Sequence, residues 1–235
     1  LVTVLLDYDG TLVPVASRPS LAAPDPGLQA LLARLVARPG LDAHIVSGRR
    51  RATLDRWLGL HHLSLWAEHG YWHRPKGHRA WRADMELPPD WSAHVLPIFE
   101  AFTAQTPGSF VEPKTAALTW HYRLAPAPLG AERAHALLAQ LRSFEQSHGL
   151  EVLEGRKVVE VRVRGVSKAA VARYLCQART DGPIVAIGDD RTDEDLFAAL
   201  PDTAVTIAVG DRPSRARYRL PHSPAVRDWL GRLTD

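Results

Sequence analysis

Cysteine is almost missing from this chain: Cys176 is the single one in 235 residues. One thiol excludes an internal disulfide and any metal site built from cysteine pairs. It fits a reducing, cytoplasmic setting. Long apolar runs are missing as well. No stretch approaches the roughly 20 residues that a membrane helix needs, so no membrane partner is expected. No secretory leader pattern precedes the first strand-like segment, and the opening residue, Leu1, is compatible with a piece cut from a longer polypeptide. Charge of one sign is not concentrated. The net charge is +3 with acids and bases interspersed, and no Lys/Arg block builds a face for nucleic acid. The short run Arg49-Arg50-Arg51 reads as a local anion site. Walker-A and Rossmann glycine fingerprints are absent, which argues against a nucleotide enzyme. There are no repeats and no low-complexity linkers. What is present is ordinary globular composition, 46% hydrophobic and 23% charged, enough for a core in one or two domains. A monomer is expected.

The apolar run Leu1 to Leu6 reads as a strand buried on both faces, as in a parallel sheet. It ends in Asp7-Tyr8-Asp9-Gly10-Thr11. Asp25-Pro26 starts a helix with a cap and a first-turn proline, and Leu28, Leu31, Leu32 and Leu35 follow its period. Asp42 to Val46 reads as a second strand ending in Ser47-Gly48-Arg49, and Leu63 to Ala67 as a third ending in Glu68-His69-Gly70. Late in the chain Ser167 is the expected cap of a helix to about Ala178. Pro183 to Ile187 is a strand ending in Gly188-Asp189-Asp190, and Thr192 is the expected cap of the next helix. Strand and helix alternating, with polar motifs at strand ends, predicts a doubly wound α/β sheet.

The middle differs. A helix carrying Trp91, Val95, Ile98, Phe99 and Phe102 is followed by strands near 109–112 and 116–123. A helix through Ala134, Leu137, Leu141 and Phe144 and strands near 151–153 and 157–163 complete an αββαββ block. Such a block predicts an antiparallel sheet with helices on one face, inserted over residues 88–164 between core segments 1–87 and 165–235. Leu118, Trp120 and Tyr122 alternate with Thr119, His121 and Arg123, and Val159, Val161 and Val163 with Glu160, Arg162 and Arg164. One sheet face is therefore apolar and the other polar. The polar face reads either as solvent surface or as a ceiling for a sugar.

Ligands of open α/β sheets bind at the carboxyl ends of strands. Those ends supply Asp7, Asp9, Ser47, Asp189 and, nearby, Asp193. Carboxylates gathered there repel unless a cation lies among them. Oxygen ligands without imidazole or thiolate favour Mg²⁺, bound by Asp7, Asp9, Asp189 and Asp193. A phosphate monoester is the natural ligand. Asp7 is placed to attack phosphorus, Asp9 to protonate the leaving oxygen and then to activate water. Thr11, Ser47 and Lys168 are placed to hold the phosphoryl oxygens. Asp193 either ligates the ion or orients its waters.

These residues resemble the four motifs of the haloacid dehalogenase superfamily of phosphatases: Asp7-Tyr8-Asp9-Gly10-Thr11-Leu12, Ser47-Gly48-Arg49, Lys168, and Gly188-Asp189-Asp190-x-Thr192-Asp193. The resemblance implies a Rossmann-like core and, from the position of the insert, an α+β cap that serves small phosphorylated metabolites. Glu68-His69-Gly70, Val111-Glu112-x-Lys114, His121-Tyr122-Arg123 and the segment Glu154 to Arg162 are similar to the trehalose-6-phosphate phosphatase family. That similarity implies magnesium-dependent hydrolysis of trehalose 6-phosphate, a small sugar-phosphate substrate, and association with trehalose-6-phosphate synthase. It also implies that Glu112, Lys114, Arg123, Lys157 and Glu160 hold sugar hydroxyls, with Arg49 helping from the core. Val163, Ala169 and Ser214 depart from the family's usual proline, glycine and threonine. The competing readings are a phosphatase for sucrose 6-phosphate, mannosyl-3-phosphoglycerate or a hexose phosphate, and an inactive module that binds a sugar phosphate.

Overall fold

The computed structural model describes residues 1–59, 62–178 and 182–234. The chain divides into two compact units, 1–84 with 167–235, and 85–166.

The first unit is built on β1 (Val2–Leu6), α1 (Pro26–Ala37), β2 (Leu41–Val46), α2 (Arg51–Leu58), β3 (Ser64–Ala67) and β4 (Trp72–Arg74). The chain leaves this unit after β4 for α3 (Leu96–Ala104), β5 (Phe110–Pro113), β6 (Ala117–His121), α4 (Ala127–Ser147), β7 (Leu150–Gly155) and β8 (Val158–Val163). It returns with α5 (Ala169–Gln177), β9 (Ile184–Gly188), α6 (Arg191–Ala199), β10 (Val205–Val209), β11 (Tyr218–Leu220) and α7 (Ser223–Arg232).

The seven-stranded sheet runs β11-β10-β9-β1-β2-β3-β4. All its pairs are parallel except β3 with β4. The apolar strands are buried on both sides, as their unbroken hydrophobicity requires. Val4 and Leu6 pack with Leu28, Leu32, Leu54, Val226 and Leu230, so α1, α2 and α7 cover one face. Leu5 packs with Val171, Leu175, Leu196 and Phe197, so α5 and α6 cover the other. Strands β2 and β9 flank β1 on opposite sides. That reversal of strand order opens a crevice at the carboxyl ends of β1 and β9, where ligands of such sheets bind.

The short β4 turns back on β3 through one side-chain stack. Trp66 and His73 face each other across the pair, with ring centroids 3.6 Å apart and planes 1° from parallel. The indole Nε1 donates to His44 Nδ1 at 3.1 Å, and His44 Nε2 meets Asp42 Oδ2 at 3.0 Å. Burial, reinforced by His44 and Arg82 nearby, drives the pKa of His73 down to about 3. The stack is therefore neutral at physiological pH.

In the second unit all strand pairs are antiparallel, in the order β5-β6-β8-β7. Trp120 opposite Val159 and Leu118 opposite Val161 form its apolar face. Both are buried, along with Phe99 of α3 and Leu137 and Leu141 of α4.

Three local expectations are corrected. Helix α3 starts at Leu96 with Pro97 in its first turn, so Trp91 and Val95 precede it; a proline fits a first turn because its missing N–H has no helical acceptor there. Lys168, not Ser167, holds the cap position of α5, and no side chain caps it. Asp190, not Thr192, caps α6, in a reciprocal box with Asp193. The structure adds α2, β4, β10, β11 and α7 to the expected elements. Among the described residues no helix is long and apolar enough to cross a membrane.

Asp25 caps α1, accepting from Leu28 N at 2.9 Å, and also binds Arg227 of α7 at 2.6 Å. Replacing it with alanine, Asp25→Ala, is expected to cost about 1 kcal/mol, as loss of an N-cap does. Asp25→Asn, which still caps, is expected to cost less. Urea denaturation midpoints measure both, and equal losses would show that the cap contributes nothing.

Candidate active site

The site begins where β1 stops. Asp7 N–H continues the ladder to Ile187 O at 3.0 Å, which fixes the Asp7 side chain beside the end of β9. Lys168, at the start of α5, donates to Asp7 Oδ1 at 2.5 Å and to Asp193 Oδ1 at 2.7 Å. Lys168 is 2% exposed and Asp193 fully buried. A buried ammonium survives only with such compensation. Burial works against its charge, but the Asp193 and Asp7 carboxylates outweigh that and raise its pKa above the ordinary lysine value.

One carboxylate oxygen from each of Asp7, Asp189 and Asp193 lies within 4.8 Å of the others. Asp193 is already committed. Its Oδ1 takes the Lys168 proton, and its Oδ2 accepts the backbone N–H groups of Asp189 and Asp190, both at 3.1 Å. Asp7 Oδ2 and Asp189 Oδ1 are buried without a partner. Burial pushes the Asp7 carboxyl well above the usual range; the Lys168 charge opposes this, and the Asp193 and Asp189 charges add to it. Burial, then the Asp193 and Asp190 charges, push Asp189 up to about 7. Orphaned oxygens on carboxylates this reluctant to ionise are what a divalent cation relieves. The donor set, all hard oxygen, fits Mg²⁺.

Two glycines make the approach of these acids possible. Gly10 has φ +87°, and a Cβ there would lie 2.1 Å from Asp189 Oδ2. At Gly188 a Cβ would lie 2.1 Å from Asp193 Cγ. Thr11 is buried with its hydroxyl unpartnered. Ser47, at the end of β2, is buried and its hydroxyl accepts from Arg49 N at 3.2 Å.

The Asp9 carboxylate lies outside the acidic cluster. Both its oxygens face Arg49, accepting from Nε at 2.7 Å and from Nη2 at 2.6 Å. The strained turn Glu68-His69, with φ of 52° and 59°, holds the Arg49 backbone. Glu68 N donates to Arg49 O at 2.9 Å and His69 N to Ser47 O at 3.0 Å. The His69 ring fills the space that a side chain at position 48 would take, 2.6 Å from such a Cβ.

The second unit carries its own polar group. Thr119 pairs with Glu160 across β6 and β8, and Glu112 with Thr119 across β5 and β6. Glu160 Oε2 accepts from Lys114 Nζ at 2.9 Å and from Thr119 Oγ1 at 2.6 Å. Glu112 Oε2 lies 2.9 Å from His121 Nε2. Arg123 donates to Arg156 O at 2.8 Å, and Lys157, with φ 65°, sits 5.6 Å from the Tyr122 ring centroid. Glu160 and Thr119 are buried.

A model of the trehalose-phosphatase family matches residues 5–224. The chain belongs to the trehalose-phosphatase family. A bifunctional trehalose-6-phosphate synthase/phosphatase of Thermoproteus tenax is 39% identical over 230 residues, 98% of this chain and 31% of that protein. A trehalose-phosphatase of Saccharomyces cerevisiae is 36% identical over 222 residues, 83% of this chain and 24% of that protein. The chain therefore spans less than a third of the length of either relative. The C-terminal domain of C. albicans trehalose-6-phosphate phosphatase superposes with a TM-score of 0.92 at 31% identity, covering 99% of this chain and 92% of that one. A haloacid dehalogenase-like hydrolase from Bacteroides thetaiotaomicron, 16% identical with a TM-score of 0.68, shares the fold, covering 99% of this chain and 98% of that one.

Within this member of the trehalose-phosphatase family, the structure brings Asp7, Lys168, Asp189 and Asp193 into one cluster and leaves the Asp9 carboxylate on Arg49. Sequence reasoning missed Asp190 as the cap that seats Asp193. It also missed Trp57 beneath Arg49, 4.4 Å from guanidinium carbon to ring centroid. The spacing of Asp190 and Asp193 was a readable capping-box signal; nothing in the sequence marks Trp57.

Lys168 links two buried acids, so Lys168→Met is expected to cost about 3–5 kcal/mol in metal-free buffer at pH 7, as breaking a buried ion pair does. Urea denaturation reads the loss. A cost below about 1 kcal/mol would show that Lys168 does not hold this cluster together.

Proposed function

We propose that this chain removes the phosphate of trehalose 6-phosphate, yielding trehalose and inorganic phosphate in trehalose biosynthesis. The observation that carries the reading is the Asp7–Lys168–Asp193 triad beside Asp189, with unpartnered oxygens on Asp7 and Asp189. It lies in a chain of the trehalose-phosphatase family.

The reaction class is phosphoryl transfer to a carboxylate. One carboxylate oxygen of Asp7 attacks phosphorus as the bond to the sugar oxygen breaks, leaving an aspartyl phosphate. Lys168 neutralises charge on Asp7 and on the phosphoryl oxygens. The Thr11 and Ser47 hydroxyls donate to those oxygens. The Asp9 carboxyl gives its proton to the leaving sugar oxygen. It then takes one from the water that hydrolyses the aspartyl phosphate. Asp7 and Asp189 would hold Mg²⁺, with Asp193 orienting Asp189 and Lys168 behind them. When bound, the ion supplies positive charge where phosphoryl charge collects.

Glu112, Lys114, Arg123, Lys157 and Glu160 are assigned to the sugar hydroxyls, because charged donors and acceptors are what a polyol recognises. The names of relatives in which synthase and phosphatase are joined support an association with a synthase of the same sugar phosphate. The lone Cys176, free in this structure, supports a cytoplasmic setting.

With magnesium, kcat/KM is expected to be highest for trehalose 6-phosphate in a panel with glucose 6-phosphate, sucrose 6-phosphate and mannosyl-3-phosphoglycerate. A value no better than that for glucose 6-phosphate rejects the substrate. Asp7→Asn is expected to abolish phosphate release, and measurable turnover by that variant would remove Asp7 as the nucleophile. Asp9→Ala is expected to slow kcat by about 10²–10⁴-fold, the usual worth of a general acid. Glu160→Ala is expected to impair trehalose 6-phosphate far more than an aryl phosphate. Equal losses on the two esters would mean that Glu160 supports the sheet rather than the sugar.

A further inference from the structure

The proposed acid and base, Asp9, is not free to act in the arrangement seen. A carboxyl that protonates a leaving oxygen must present a proton on one oxygen, yet both Asp9 oxygens are taken by the fork of Arg49, at 2.7 and 2.6 Å. This bidentate geometry is the strongest that arginine makes with a carboxylate. The third side of the guanidinium, Nη1, donates to Pro19 O at 2.8 Å, and its face lies on the Trp57 ring. The Arg49 side chain is 11% exposed and that of Asp9 36%. Arg49 thus has a complete set of partners, none of them in the Asp7–Asp189–Asp193 cluster.

Arg49 is nevertheless rooted at the strand end that faces this cluster. Its backbone N–H binds the Ser47 hydroxyl, and β2 is paired with β1 up to Leu6 opposite Ile45. A phosphate monoester on Asp7 brings a dianion to that strand end. It offers the same fork a pair of oxygens with more charge than a carboxylate. We infer that Arg49 exchanges partners, holding Asp9 until a phosphoryl group arrives and then moving onto the phosphoryl oxygens. That move frees Asp9 to take up a proton from solvent water and pass it to the leaving sugar oxygen. The inference rests on the proposed phosphatase reading and adds to it a coupling between phosphate arrival and acid/base readiness. It makes Asp9 a competitor of phosphate for Arg49, so the resting pair lowers the apparent affinity for phosphate.

Inorganic phosphate with magnesium is the probe and Trp57 the reporter, because a departing guanidinium leaves its ring. Tryptophan emission of the wild type is expected to change on phosphate titration. Its midpoint should match that for competitive inhibition of aryl phosphate hydrolysis. The change is expected to vanish in Trp57→Phe and in Arg49→Ala. Asp9→Asn, although slow in turnover, is expected to bind phosphate at least about fivefold more tightly by calorimetry, the lower end of ordinary coupling. This arm does not depend on the folding of an Arg49 variant. Emission unmoved by saturating phosphate, or Asp9→Asn binding no more tightly than wild type, overturns the exchange and makes Arg49 a fixed strut. If the enzyme still hydrolyses the ester, the function stands. A protein that neither hydrolyses nor binds phosphate overturns both.

Discussion

Several acids must share one rim of a sheet, and their mutual repulsion is the constraint that organises the first unit. Asp7 and Asp189 end adjacent parallel strands, and Asp193 sits one helical turn on, buried. Lys168 spends its charge on Asp7 and Asp193, two of the three. The capping box of α6 satisfies the remaining oxygen of Asp193 with backbone N–H groups. What is left over is one free oxygen on each of Asp7 and Asp189, and carboxyls whose pKa values burial has raised. A fold that keeps such groups in the dark costs stability unless something else binds there. That cost is the physical trace of the site.

Glycine is the second condition. At Gly10 the backbone takes a left-handed turn directly against the Asp189 carboxylate, and at Gly188 it passes against Asp193. Any side chain at either point would push the acids apart. The turn residues and the carboxylates are therefore one device, and the residue types at strand ends follow from it. The two strained residues Glu68 and His69 do similar work for the Ser47–Arg49 loop, held by backbone bonds rather than by charge.

This division explains what the sequence made readable. The alternation of strand and helix in the core was legible, and Asp7, Lys168 and Asp189 stood out as candidates, because buried parallel strands are continuous apolar runs and their ends are where ligands bind. The alternation of Thr119 with Trp120, and of Glu160 with Val159, placed the polar face of the insert before any coordinates. Pair contacts were not legible. Arg49 reaches Asp9 across forty residues of sequence, and Lys114 reaches Glu160 across forty-six; spacing gives a face but not a partner. Caps were misplaced at Ser167 and Thr192 because hydroxyl and carboxylate residues compete for that position, and side-chain commitments elsewhere decide. Asp190 prevails because Asp193 returns the bond. The short strands β4 and β11 have three residues each, too few for a period to show. β4 is secured by the Trp66–His73 stack rather than by propensity.

Asp7, Asp189 and Asp193 form a cluster that could hold a divalent cation. The most direct measurement is thermal unfolding of the wild type and of Asp189→Asn, each with magnesium and with chelator. A magnesium-dependent rise in Tm is expected for the wild type. For Asp189→Asn no such rise is expected, and a chelated Tm at or above that of the wild type, because one repelling charge is gone. A wild-type Tm indifferent to magnesium, or an equal rise in the variant, would contradict such a cation site.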